Sequence, residues 1–388
     1  MEYMDVERFK EGGMSGELVN SDGDIAFKPD PLPPEISIEG ELLDVFTRAT
    51  SNVGQLSGIG RRVDNPSMLI SPFIYKEAVV SSEIEGTRVT LSDVYEYEAG
   101  REKGGGPSRN ELKEVHNYVR AVFQGIDEVD GGIDLDLVRT LHQTLMSGVR
   151  GEDKQPGEFR DTQVYIGGRG TEARFVPPPP SVVPYAMQNL ETYMQTGGAY
   201  QPLIDIGLVH YQFETVHPFR DGNGRMGRLI IMLMMCGEEL LPEPYLYPSS
   251  YFNRNREEYT DRLLAVSRDN AWEEWLTFFL EGISQQAQEA FSRASELLDL
   301  RDEYRERYQD GPNSVSHLAM EVFTKPYLTV NEASELLNMT YGAANNAVSK
   351  LEDDGVLEEI TGQSRNRVFR AREVFRIIQK PVDELEYT

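Results

Sequence analysis

A single cysteine, Cys236, stands in a chain of 388 residues, so no disulfide can close within the chain. It falls in the apolar run 229–236, where a small thiol has the properties of a core residue. That run is far shorter than the roughly 20 apolar residues a membrane span requires, which excludes a transmembrane segment there. The first ten residues, MEYMDVERFK, lack the apolar stretch of a secretory leader, and a soluble, cytoplasmic protein is expected. Positive charge is scarce as well. Lys and Arg number 38 against 65 Asp and Glu, and lysine is rare beside arginine. An acidic, lysine-poor surface stays hydrated where salt screens its self-repulsion, which points to a salt-adapted, halophilic cytoplasm. No internal repeat stands out, and a chain of this length can bury a large core divided among two or three units.

What the chain does have is concentrated in His217-Pro-Phe-Arg-Asp-Gly-Asn-Gly-Arg-Met-Gly-Arg228. Ile206, Val209, His210, Phe213 and Val216 follow helical spacing up to this stretch, and Pro218 stops that helix because it lacks an amide donor and restricts the residue before it. The chain must turn at His217. Gly222 and Gly224 allow backbone amides to approach a ligand, and the apolar run after them predicts a buried helix whose N-terminus is an anion site. Arg225 and Arg228, three residues apart, share a face of that helix and suit phosphate oxygens. Taken singly these residues have ordinary readings: an isolated imidazole is commonly a surface or core group, and Gly-Asn-Gly is a turn signal. Arginines at a helix start, however, face the positive end of its dipole and call for an anionic partner.

The string HPFRDGNGRMGR resembles the active-site signature HPFx(D/E)GN(G/K)RxxR of the Fic family, with every fixed position met. The resemblance implies a mainly α fold, with a Fic-type helical core and a small β-hairpin flap. It implies a protein adenylyltransferase that moves AMP from ATP to a Ser, Thr or Tyr hydroxyl of a target protein. On that resemblance His217 is the general base, Asp221 holds Mg²⁺ against the nucleotide, Gly222, Asn223 and Gly224 cradle phosphate, and Arg225 and Arg228 neutralise the outer phosphates. Relatives that transfer phosphate carry Lys after Asn, so Gly224 favours adenylyl transfer.

Ser81-Ser-Glu-Ile-Glu85-Gly86 resembles the family's inhibitory motif, (S/T)xxxE(G/N), through Ser81, Glu85 and Gly86. The implied action is direct: a Glu85 carboxylate paired with Arg228 occupies the arginine that should clamp the γ-phosphate. By itself SSEIEG is also an ordinary helix end with a glycine cap. Residues 157–168 carry strand-forming Thr162, Val164 and Ile166 bounded by glycines such as Gly167, which predicts a short hairpin. This piece resembles the Fic flap, which registers a target backbone by strand addition. The prolines 177–180 stiffen its return, and the segment 251–254, with Asn253, is expected to close over the adenine.

Residues up to about 35 are rich in Gly, Pro and acids and read as an arm crossing a surface. Helical spacing occupies 36–60, 69–100, 110–123, 135–146 and 272–300, with a break at Gly104-Gly105-Gly106. The family resemblance covers about 36–283. The division expected is an N-terminal arm and helical region with the inhibitory motif (1–112), a Fic core with the following long helix (113–300), and a separate unit at 311–388. In that last unit 328–337 and 340–351 resemble the two helices of a helix-turn-helix, and 355–360 and 365–370 two strands, the pattern of a winged helix. Residues 340–350 and 361–372 hold no acid, and Arg365 and Arg367 suit DNA phosphates, although Glu352, Asp353, Asp354, Glu358 and Glu359 would repel them. The alternatives are accordingly a transcription regulator whose Fic unit senses nucleotide, or an enzyme that removes AMP from a modified protein. Target protein, DNA and a second copy of the chain are the candidate partners.

Overall fold

The computed structural model describes residue 4 and residues 6–21, 23–61, 66–100, 106–129, 132–168, 172–363 and 365–385. The molecule is mainly helical. Its centre is formed by the helices Pro202–Val216 and Asn223–Gly237, which bury nearly every residue. A helix that is apolar on all sides must sit inside a helical body rather than on its surface. The helices Arg109–Glu128, Leu135–Met146 and Val183–Gln195 cover them, each burying one face. Outside lie Gly40–Gly60 and Trp272–Tyr308, packed along one another. In the first, Leu42, Val45, Ala49, Val53 and Leu56 recur every three or four residues and are buried.

Several boundaries differ from the sequence reading for identifiable reasons. The expected helical stretch 69–100 is two helices, Ser67–Ile84 and Leu91–Glu98, because Gly86 at φ +98° turns the chain and Thr90 starts the second helix with a capping box to Asp93. The long helix runs on to Tyr308, well past 300. Of the glycine break, Gly104 and Gly105 lie outside the described residues. The N-terminal arm is ordered into an antiparallel hairpin, Gly16–Ser21 with Asp24–Pro29, registered from Gly16 opposite Pro29 to Ser21 opposite Asp24. Among the described residues no helix is long and apolar enough to cross a membrane.

The last part of the chain holds helices Asn313–Glu321, Val330–Leu336, Tyr341–Asp353 and Arg372–Gln379 with three short strands. Val368–Ala371 lies between Tyr327–Thr329 and Leu357–Glu359, antiparallel to both. The helix expected over 328–337 begins later: Leu328 and Thr329 belong to a strand, and Thr329 caps the helix that follows through its bond with Glu332. This part is tied closely to the helical body. Tyr95 stacks on Tyr327 at 5.1 Å and meets Phe375 edge-on. Arg293, buried on the long helix, donates to the carbonyls of Ile377 (2.8 Å), Ile378 (3.2 Å) and Lys380 (2.7 Å), the open end of the helix Arg372–Gln379.

Candidate active site

The turn expected at His217 is a left-handed residue, φ 49°, whose amide still bonds back to Phe213 at 2.9 Å. The ring is oriented by its own helix: Nδ1 lies 3.3 Å from the Glu214 carbonyl, so Nδ1–H donates and Nε2 keeps its lone pair. Burial, with the nearby Arg160 cation adding to it, pushes the His217 ring down to about 4, against the Glu214 carbonyl and Glu85. The ring is neutral near pH 7 and competent to take a proton.

The loop after His217 is braced from within. Asn223 Oδ1 accepts from the Phe219 amide and its Nδ2 donates to the Phe219 carbonyl, both at 2.8 Å. The Asn223 side chain is therefore spent on the loop, and its backbone amide at the helix start is what this residue can offer to a phosphate. His142 braces the other side. Its ring stacks on Phe219 at 3.6 Å, Nδ1 accepts from the Gly157 amide at 2.8 Å, and Nε2–H therefore donates to the Asp221 carbonyl at 2.9 Å. The Asp221 carboxylate accepts from the Gly222 amide at 2.7 Å. No group of three potential metal ligands occurs among the described residues.

The two arginines are both buried, Arg225 at 1% and Arg228 at 2% exposure. Arg228 donates from Nε to Ser81 Oγ (2.9 Å) and from Nη2 to the Ser81 carbonyl (3.0 Å) and Glu85 Oε1 (2.8 Å). Burial pushes the Glu85 carboxyl up, but Arg228, helped by Arg225 and His217, outweighs it and holds Glu85 below the usual carboxylate range. The helix Ser67–Ile84 presents both residues, Ser81 within it and Glu85 as its C-cap, so the helix end with its glycine and the arginine contact coexist. A Cβ at Gly224 would run into Glu85 Oε1 and lie 2.9 Å from Arg228 Nη1, so any larger residue there would push the ends of these two side chains aside. Arg225 lies 3.6 Å from Glu114 and contacts Met146 Sδ at 3.4 Å, while its Nε and Nη1 have no hydrogen-bond partner.

Behind Ser81, Glu77 is wholly buried and pushed up to about 7 by burial, against bonds from Ser249 and Tyr118 and the charge of Arg228.

The flap is smaller than its sequence implies. Ile166 pairs with Phe175 in one antiparallel bridge, and neither Thr162 nor Val164 belongs to a ladder. Their carbonyls are already used, that of Thr162 by Arg160 (3.3 Å) and that of Val164 by Gln163 Nε2 (3.0 Å). Gly167 follows the bridge at φ +73°. The N-terminal hairpin backs this segment: the Phe27 amide donates to Val176 (3.0 Å) and Ser21 Oγ to Gln163 (2.7 Å). Tyr251 and Phe252 do not face a ligand. They are core residues, with Phe252 stacked on Tyr259 at 4.6 Å, which leaves Asn253, half-buried, and Arg254, exposed and paired with Glu289, as the accessible members of that segment. In the C-terminal part, Arg367 donates to Asn345 (2.8 Å) and lies 3.9 Å from Glu352, and Arg370 pairs with Glu358. Arg365 is exposed. The stretches free of acid in sequence thus meet acids in space.

Residues 43–127 match the Fic/DOC family N-terminal model, and residues 132–235, which include the whole turn, match the Fic/DOC family model. The chain belongs to the Fic/DOC family. This Fic-family chain is 28% identical over 189 residues to a probable protein adenylyltransferase of Aquifex aeolicus, covering 48% of this chain and 53% of that protein. It is 27% identical over 223 residues to protein adenylyltransferase Fic of Drosophila melanogaster, 55% of this chain and 42% of that one. It therefore spans about half the length of the curated relatives it matches. Its fold is similar to a Fic family protein of Desulfovibrio desulfuricans (TM-score 0.57, 20% identity, 88% of this chain and 98% of that one). The Fic-1 protein of C. elegans is a second structural relative (TM-score 0.52, 20% identity, 66% and 74%).

Sequence reasoning missed His142 and Arg160 as site residues. His142 lies among Val138, Leu141 and Leu145 at helical spacing and reads as core, so nothing in the sequence marks it. Arg160 did carry a signal, as the one cation within residues 157–168.

Proposed function

We propose that the chain transfers AMP from ATP to a hydroxyl side chain of a protein and is held back by Glu85. The observation that carries this reading is a neutral His217 with a free Nε2 in the same loop as an arginine already taken by a carboxylate. The hydroxyl oxygen attacks the α-phosphorus, its proton passes to His217 Nε2, the bond to the bridging oxygen breaks, and pyrophosphate leaves. Amides at the start of the helix Asn223–Gly237 and the unpartnered nitrogens of Arg225 receive phosphate oxygens. Arg228 clamps the outer phosphate only once Glu85 and Ser81 release it. Asp221 suits Mg²⁺, which commonly takes one carboxylate together with phosphates and waters, and Mg²⁺ bound there would neutralise phosphate charge. Asn253 is the residue we assign to the adenine side, and the flap residues Thr162, Val164, Ile166 and Gly167 to target docking. The C-terminal part, 311–388, is read as a winged helix that selects target or location.

The test is incubation of wild type and Glu85→Gly with ATP labelled on the α-phosphate. Label on protein, stronger in Glu85→Gly, is the expected result. No label on the protein itself or on any added protein, in either form, overturns the reading.

A further inference from the structure

Arg160 is only 2% exposed, yet among the described residues its guanidinium bonds to backbone carbonyls alone and to no carboxylate. A buried cation without a counter-ion is costly, so a fold that keeps one must offer it oriented dipoles instead. The end of the helix Pro202–Val216 offers them. Its final carbonyls carry the negative end of the helix dipole, and the reversal at His217 prevents a further turn from using them. Arg160 Nε donates to the His217 carbonyl at 2.8 Å, Nη2 to that of Val216 at 3.2 Å, and its backbone amide to Pro218 at 2.8 Å. The rest of the fork points away from the base. Nη1 reaches the Thr162 carbonyl at 3.3 Å, where the flap begins, and Nη2 the Pro178 carbonyl at 2.6 Å, where it returns. One planar group thus joins both legs of the flap to Val216 and His217, with the backbone amide of the same residue adding Pro218, and a lysine ammonium, a point charge without a fork, cannot span them.

We infer that Arg160 is a positioning residue for the transfer, bolting the flap to the catalytic turn so that a target backbone held by one is placed against the other. This rests on the reading proposed above. A second consequence is electrostatic. The charged and titratable groups that act on the His217 ring are Arg160 from the flap, Glu214 through its carbonyl and Glu85 from the opposite helix; of these only Arg160 adds to burial in keeping the ring unprotonated. The cation therefore sets the position of the flap and favours the basic form of the imidazole with the same atoms.

Two substitutions in the Glu85→Gly protein separate these effects. Arg160→Lys keeps the charge and loses the fork, whereas Arg160→Gln loses both. Transfer from labelled ATP, binding of a fluorescent ATP analogue, proteolysis within residues 161–178 and the NMR titration of the His217 ring are measured for each. In Arg160→Lys we expect at least a tenfold fall in transfer and faster cleavage in the flap, with nucleotide binding within twofold of the parent and the His217 titration unmoved. In Arg160→Gln the titration should also rise by about one unit towards the ordinary imidazole value. Transfer within twofold of the parent in Arg160→Lys, with the flap equally protected, overturns the inference. So does a loss of nucleotide binding in proportion to transfer. Arg160→Lys carries the test alone should Arg160→Gln not fold. If the Glu85→Gly parent transfers no AMP, the adenylyl reading fails by itself, while cleavage and titration still decide the role of Arg160.

Discussion

Arg225 and Arg228 lie one turn apart on the same helix, both buried and both near a carboxylate, yet they are in opposite states. Arg228 donates three hydrogen bonds to Ser81 and Glu85, while Arg225 has two nitrogens without a hydrogen-bond partner, one of them 3.6 Å from Glu114. Glu114 explains part of the difference. Burial pushes its carboxyl up in spite of Arg225, so it is a weaker counter-ion than Glu85, which Arg228 holds down. A buried unsatisfied donor costs free energy, and a phosphate oxygen at Arg225 would recover it. On the proposed reading the site is half-prepared: Arg225 can take an anion at once, and Arg228 must first be released from one.

The largest effect should come where neither arginine can compensate. His217→Ala in the Glu85→Gly protein should lower transfer by about 10²–10⁴-fold while both arginines still bind nucleotide, measured by labelled-AMP incorporation beside nucleotide affinity. A parallel loss of affinity would mean that the ring supports the loop rather than the chemistry. Next, Glu85→Gly should raise transfer by roughly a hundredfold, the cost of about an ångström of misplacement at the phosphates. Adding Arg228→Ala should remove most of that gain, whereas adding Arg225→Ala should weaken nucleotide binding in wild type and Glu85→Gly alike. If the two arginine variants behave identically, the distinction between them is lost.

A smaller effect is expected at Glu114. Glu114→Gln removes the carboxyl near Arg225 and should tighten nucleotide binding a few-fold by calorimetry; weaker binding would show that Glu114 orients Arg225 for phosphate. The smallest effect is expected of pH. The proposed brake would need Glu85 charged, and because its pKa is lowered, that charge is present above the lowered value and lost only as pH falls through it. The ratio of Glu85→Gly to wild-type transfer should therefore stay nearly constant from about pH 8 to about pH 5. A ratio that collapses over that interval would place the carboxylate outside the influence of Arg228.

The catalytic turn was legible because its determinants are local: Pro218 ends a helix, glycines follow it, and a new apolar run begins within a few residues. The pairing of Glu85 with Arg228 joins positions 143 residues apart and came from family resemblance, since no local pattern links them. Local rules also misled. Asn223 in a glycine loop reads as one of the phosphate-cradling residues, and the sequence cannot show that its side chain braces the Phe219 backbone as well. Thr162, Val164 and Ile166 have strand preference, yet Arg160 and Gln163 take two of the carbonyls that a longer ladder needs. The N-terminal hairpin was missed because its strands lack regular alternation and owe their order to the flap they cover.

The clamp made by Arg293 bears on how shortened forms of this protein must be interpreted. Its three carbonyl acceptors lie 84–87 residues further along the chain, and any cut before residue 377 removes all of them while the guanidinium stays sunk between helices. Close by is Lys76, whose amine burial already pushes down to about 7, with the charge of Arg293 adding to that fall. Lys76 belongs to the helix that carries Ser81 and ends at Glu85. Deleting the tail would thus take three acceptors from a buried cation that acts on Lys76, and altered transfer in such a deletion would record rearrangement around Lys76, Glu289 and Arg293 before it recorded any loss of targeting.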